Sequence, residues 1–305
     1  MPATLLLQKR LGVGVGVLAF VTWLLLIFGS TVRVHGAGLA CPDWPLCFGE
    51  LVPVLDFSIF LEWGHRVLAS VVSLTFLGLA GAILARKALR PVYGPHLALI
   101  VLVLATQIGL GGLTVTRLLA FWSVTLHLLC GNLFMALILA LAVRLRGVDA
   151  GSPAPTSVLP VVAGFAVALA VQLALGGLVS SNYAGLACTE WPSCNEGVWF
   201  PTFSGLVGLQ VFHRLGGYLV FAVAAVCFKV TRGTSAQRGG ELLLGLCLLQ
   251  VALGVANVLA QMPVELAIGH AATAHALVAT TTVVLTRLLV ARTTAAPAMQ
   301  TVSVG

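Results

Sequence analysis

Eight apolar stretches, each long enough to cross a lipid bilayer as a helix, follow one another along this chain of 305 residues. They fall at about 12–32, 62–86, 96–116, 121–143, 158–180, 208–229, 241–261 and 266–290. At ~1.5 Å of rise per residue, about 20 residues cross the ~30 Å hydrocarbon layer. Lipid offers no partner to a backbone N–H or C=O, so stretches of this length must close their own hydrogen bonds as helices. A hydrophobic share of 59% against 8% charged residues excludes an ordinary soluble domain. Lys9 and Arg10 precede the first stretch as they would in a secretory signal. That stretch is too long for the apolar part of a signal and leads into a loop that has a later copy, so it reads as an anchored helix.

Charge orients the chain. Lys9, Arg10, Arg86, Lys87, Arg90, Arg144, Arg146, Lys229, Arg232, Arg238, Arg287 and Arg292 are 12 of the 16 basic residues, and all fall at the termini or in alternate connections on one side. The positive-inside rule makes that side cytoplasmic, N- and C-termini included, in a multi-pass protein of the cell membrane. The net charge of +7 then reflects topology. No basic patch interleaved with aromatics points to a nucleic-acid partner.

The other, outer side carries two long connections, about 33–61 and 181–207, each with a Cys-x5-Cys pair: Cys41/Cys47 and Cys188/Cys194. In an oxidising compartment these pairs predict two local disulfides. A zinc site is the competing reading, weakened because neither pair has a second pair nearby. Cys130, Cys227 and Cys247 lie inside apolar stretches and read as small core residues.

The chain repeats itself. Ala37-Gly-Leu-Ala-Cys41, then Asp43-Trp-Pro and Cys47, matches Ala184-Gly-Leu-Ala-Cys188, then Glu190-Trp-Pro and Cys194; further on, His65-Arg66 matches His213-Arg214. Gln107-Ile-Gly-Leu-Gly-Gly-Leu113 recurs as Gln172-Leu-Ala-Leu-Gly-Gly-Leu178 and more loosely as Gln250-Val-Ala-Leu-Gly254. These glycines read as close helix contacts, since no strand precedes them for a phosphate-binding role. The expectation is an all-α membrane protein with eight transmembrane helices in two pseudo-symmetric four-helix bundles. Residues 1–146 would form the first bundle, 147–157 a cytoplasmic linker and 158–305 the second bundle. An even number of spans per half inserts both halves the same way up, so the pseudo-twofold axis would run along the membrane normal.

Four histidines lie on an arithmetic grid. His65 and His213 are 148 residues apart, as are His127 and His275, and the interval within each half is 62. A single buried histidine is ordinarily a hydrogen-bonded core residue. Matched pairs inside a membrane are what axial ligation of haem iron needs, one imidazole from each side of the ring. By these boundaries the four lie about 5–14 Å below the outer ends of their helices. Arg66 and Arg214, each directly after a histidine, are expected to meet haem propionates. His35 aligns with Asn182 and His270 with Trp122, and His96 lies near the cytoplasmic end of the third stretch.

The repeat breaks at Glu62, three residues before His65, where the second half has Gln210. A carboxylate beside a membrane haem is costly and points to proton chemistry, which Gln would lose. This marks the first bundle as reactive and the second as an electron-relaying copy; the plainer alternative is a solvated residue facing the outer loop.

Taken together, the Glu62-x-x-His65-Arg66 motif, the loop cysteine pairs and the duplicated spans resemble the haem A synthase family over nearly the whole length. The resemblance implies oxidation of the C8 methyl of haem O to a formyl group, through an alcohol, giving haem A for cytochrome oxidase assembly. It implies that His65 and His127 hold substrate haem O, that His213 and His275 ligate an iron-containing haem b cofactor, and that Glu62 is the catalytic acid–base residue. It also implies disulfides Cys41–Cys47 and Cys188–Cys194, haem sites towards the outer side, and an external electron donor of unspecified identity. Membrane lipid and the haem O-forming farnesyltransferase are candidate partners, and a homo-oligomer is compatible with the sequence. The rival reading is a dihaem b electron-transfer protein, linked to quinol, that leaves haem unmodified; it gives the Glu62/Gln210 difference no role.

Overall fold

Every expected stretch is a helix in the structure, a computed structural model that describes residues 3–147 and 154–300, with side chains for 5–147 and 154–292. The helices are α1 (Ala3–Val34), α2 (Phe57–Leu84), α3 (Arg90–Thr116), α4 (Phe121–Arg146), α5 (Val158–Ser181), α6 (Gly205–Thr231), α7 (Gln237–Leu259) and α8 (Val264–Gln300). All eight are long and apolar enough to cross a membrane. Of the linker expected at 147–157, residues 148–153 lie outside the described residues.

Within the first half α1 packs on α2 and α4, and α3 packs on α4. Within the second, α5 packs on α6, α6 on α7 and α7 on α8. Helices α4 and α8 also pack on each other, and they reach across the halves to α5 and α1 respectively. One dry cluster joins Val15, Phe76, Leu97, Ile138 and Leu141 from α1–α4. A second joins Phe165, Ala224, Leu243 and Leu277 from α5–α8. Large apolar side chains also point away from the protein: Leu74 is 70% exposed and Val167 66%. Among the described residues the outer faces of the helices are therefore oily, as lipid contact requires.

The two long loops share one design. Disulfides Cys41–Cys47 and Cys188–Cys194 close each of them. Within the first, the Asp43 carboxylate accepts from the N–H groups of Phe48 and Gly49. Glu190 does the same for Glu196 and Gly197. These backbone bonds hold both carboxyls, Asp43 and Glu190, below the usual carboxylate range. Asp56 caps the start of α2 by accepting from the N–H of Ile59, which fixes where the loop hands over to the helix carrying Glu62 and His65.

Candidate functional site

Four histidines each lie against a glycine on the preceding helix: His65 on Gly29, His127 on Gly111, His213 on Gly176 and His270 on Gly254. A Cβ built at those glycines would stand 3.0, 3.2, 3.2 and 3.2 Å from the imidazole Cε1. The rings thus lie flush on bare backbone, and any side chain there would push them away. The motif glycines were expected to serve helix contact alone. Gly177 does so, facing Thr125 and Leu128 of α4, but Gly111, Gly176 and Gly254 make room for imidazoles.

One turn before three of these glycines stands a glutamine. The Gln107 amide nitrogen is 3.4 Å from His127 Nε2, that of Gln172 is 3.1 Å from His213 Nδ1, and that of Gln250 is 3.1 Å from His270 Nε2. Sequence reasoning identified the glutamine motif but not this role. In α1 the corresponding residue, four before Gly29, is Leu25.

One expected ligand has other neighbours in the structure, and another histidine stands where it was expected. The ring centroids of His213 and His270 are 6.5 Å apart with planes 68° apart. His275 is elsewhere: fully buried, it meets Asn132 of α4, with Nδ1 2.9 Å from the amide oxygen. Helix starts explain the difference. His127 and His270 are both the seventh residue of their helices, whereas His275 is the twelfth, about 7–8 Å further along the axis. His270 therefore corresponds to His127, not to Trp122 as the alignment predicts, and His275 corresponds to Asn132.

A metal bridging two imidazoles through bonds of about 2 Å would set ring centroids roughly 6 Å apart, close to the spacing of His213 and His270. The Nδ1 atoms of His65, His127 and His270 are buried without a hydrogen-bond partner. Buried polar atoms without partners are costly, and paired imidazole nitrogens suit iron. The residues present fit haem: His65 with His127, and His213 with His270, are the side chains that would hold one in each half.

The arginines have partners that the sequence did not announce. Arg66 donates to the carbonyls of Asp43, Leu46 and Cys41 and pairs with Glu62. Arg214 donates to those of Ser193 and Cys188. Both guanidiniums tie the disulfide loops to the histidine helices, because loop carbonyls turned into the protein need donors.

Glu62 is buried, not solvated. Its carboxylate accepts from the N–H of Cys41 at 2.8 Å and pairs with Arg66. Gln210, its counterpart, donates to the carbonyl of Gly185. The loop also sends Trp44 onto Gly112, the neighbour of the glycine behind His127. The carboxylate, the disulfide loop and the first histidine pair are therefore contiguous.

The chain is similar to known proteins along most of its length. Residues 13–282 match a family described as cytochrome oxidase assembly protein. A haem A synthase of Shewanella oneidensis is 30% identical over 298 residues, covering 82% of this chain and 88% of that protein. One of Mesorhizobium japonicum is 31% identical over 304 residues, covering 83% and 84%. One of Symbiobacterium thermophilum is 29% identical over 268 residues, covering 78% and 84%.

Proposed function

The chain belongs to the haem A synthase family, and we propose from that premise that it oxidises the C8 methyl of haem O to the formyl group of haem A. In this reading His65 and His127 of the first bundle hold the substrate haem O, and His213 and His270 of the second hold a haem b cofactor. The loop end faces outward and the termini are cytoplasmic, as the basic residues indicate. The observation that carries the reading is the pair of glycine-backed imidazole sites with a buried carboxylate, Glu62, beside only one of them.

Haem supplies the redox chemistry that no side chain can perform on an unactivated methyl group. The chain's own residues do the rest. The four imidazoles would hold the two haems, and the glycines behind the imidazoles let each lie close against its neighbouring helix. Trp44 and the Cys41–Cys47 loop close the first site from the loop end. Glu62, held by Arg66 and the N–H of Cys41, stands one turn from His65 as the group able to take up a proton released from the methyl carbon. The oily outer faces of the helices suit a farnesylated substrate arriving through lipid.

Expression with a source of haem O, followed by pigment extraction, tests the reading. Haem A and its alcohol precursor are expected beside haem b. Retention of two b-type haems with haem O unchanged would leave the electron-transfer reading in its place. The glycine cradle gives an independent test. Gly254→Leu drives a side chain into His270 and is expected to cost the second site its haem, seen as a loss of about half the haem per chain. Gly245→Leu on the same helix, where a Cβ meets nothing within 4 Å, should keep it. Equal haem content in the two variants would contradict the cradle.

A further inference from the structure

We propose that His65 is the exchangeable ligand of the first site, and that releasing it opens a coordination position for a small molecule on the side of the ring that carries Glu62. The inference rests on the haem reading above and decides which of two otherwise similar histidines yields.

A metal-bound imidazole keeps a hydrogen on its second ring nitrogen, and an acceptor for that N–H orients the ring and raises its basicity. Three of the four histidines have a group placed for this. Gln107, Gln172 and Gln250 each bring an amide to a ring nitrogen of His127, His213 and His270. Their Oε1 atoms are buried without partners. The two ends of an amide exchange by a half-turn, so that oxygen is available to accept an imidazole N–H. As placed, the same Gln172 nitrogen donates to the carbonyl of His213, a bond that the half-turn would exchange for the one to the ring.

His65 has none of this. The residue on its glycine helix at the glutamine position is Leu25, packed into the apolar cluster. Among the described residues no side chain or backbone group hydrogen-bonds either nitrogen of the His65 ring, whereas glutamines meet Nε2 of His127 and His270. Its neighbours are the edge of Phe28, at 6.0 Å between centroids, and Gly29. The histidine without a supporting amide is also the one a turn from Glu62, whereas the first site's other ligand has Gln107.

Removing such a supporting partner typically weakens a metal ligand about 10–100-fold. Carbon monoxide reads the consequence directly. The full chain carrying haem O in the first site and haem b in the second, reduced and exposed to carbon monoxide, is expected to bind one molecule per chain. The same binding should persist in a His213→Ala chain, which holds only the first-site haem. Leu25→Gln should lower carbon monoxide affinity at the first site about tenfold or more. Should Leu25→Gln disrupt folding, Gln250→Leu provides the reverse test, since it should allow the second haem to bind carbon monoxide too. Binding to the second haem alone in the wild type, two loaded but inert haems, or an unchanged affinity in Leu25→Gln would each overturn the proposal. A chain that holds no haem in its first site fails the haem reading itself, and pigment stoichiometry detects that before any gas is added.

Discussion

His270→Ala is expected to empty the second site of haem b, while His275→Ala leaves it filled. The two residues are five apart on α8 and both are buried, so hydropathy does not distinguish them; geometry does. His270 rests on Gly254, meets Gln250 and faces His213 across 6.5 Å. His275 lies about 7–8 Å deeper, bonded to Asn132 at the contact between α4 and α8. Losing one of two axial ligands from a buried site removes both the bond and the ring's orientation, so the oxidised and reduced b-type spectrum should fall to a small fraction of its wild-type amplitude in His270→Ala. His275→Ala instead deletes a buried ring and leaves the Asn132 amide oxygen without its partner, a cost of about 2–5 kcal/mol read as a lower melting temperature. Loss of the b-type spectrum in His275→Ala with its retention in His270→Ala would reinstate the sequence register.

That register failed for an identifiable reason. A grid of equal intervals assumes that the two halves have equal length between their landmarks. His65 to Gln107 is 42 residues, whereas His213 to Gln250 is 37. Five residues are missing from the second half before its glutamine motif, and His275 falls on the unshifted grid by being five beyond His270. The correct offset was already in the sequence, because Gln107 and Gln250 differ by 143, as do His127 and His270. Reading the glutamine motif as helix packing hid it. The eight helices and the disulfide loops were legible, because hydropathy and paired cysteines are local signals. Which partner a side chain chooses is not local. Arg66 looks the same whether it faces a propionate or the carbonyls of Asp43 and Leu46, and only the folded loop brings those carbonyls within reach. Glu62 similarly reads as either solvated or buried until Cys41 and Arg66 are seen around it.

Glu62→Gln should lower haem A formation about 10²–10⁴-fold, the range typical of losing a positioned acid–base group, with haem O and haem b both still bound. The substitution gives the first half the residue that the second half carries at this place, so its shape is one the surrounding loop design already tolerates. The amide oxygen can still accept from the N–H of Cys41, and Arg66 keeps the carbonyls of Asp43, Leu46 and Cys41. What is lost is a carboxylate able to take up a proton one turn from His65. Glu62 also latches the disulfide loop, so a structural defect must be told apart from a chemical one. Haem content of the first site and the resistance of Cys41 and Cys47 to thiol labelling without reductant report on the latch. The expected result is intact values for both with turnover lost. Near wild-type turnover in Glu62→Gln would remove the carboxylate from the chemistry. A rate that falls only in proportion to first-site haem or to labelled cysteine would reduce Glu62 to a fastener for the loop.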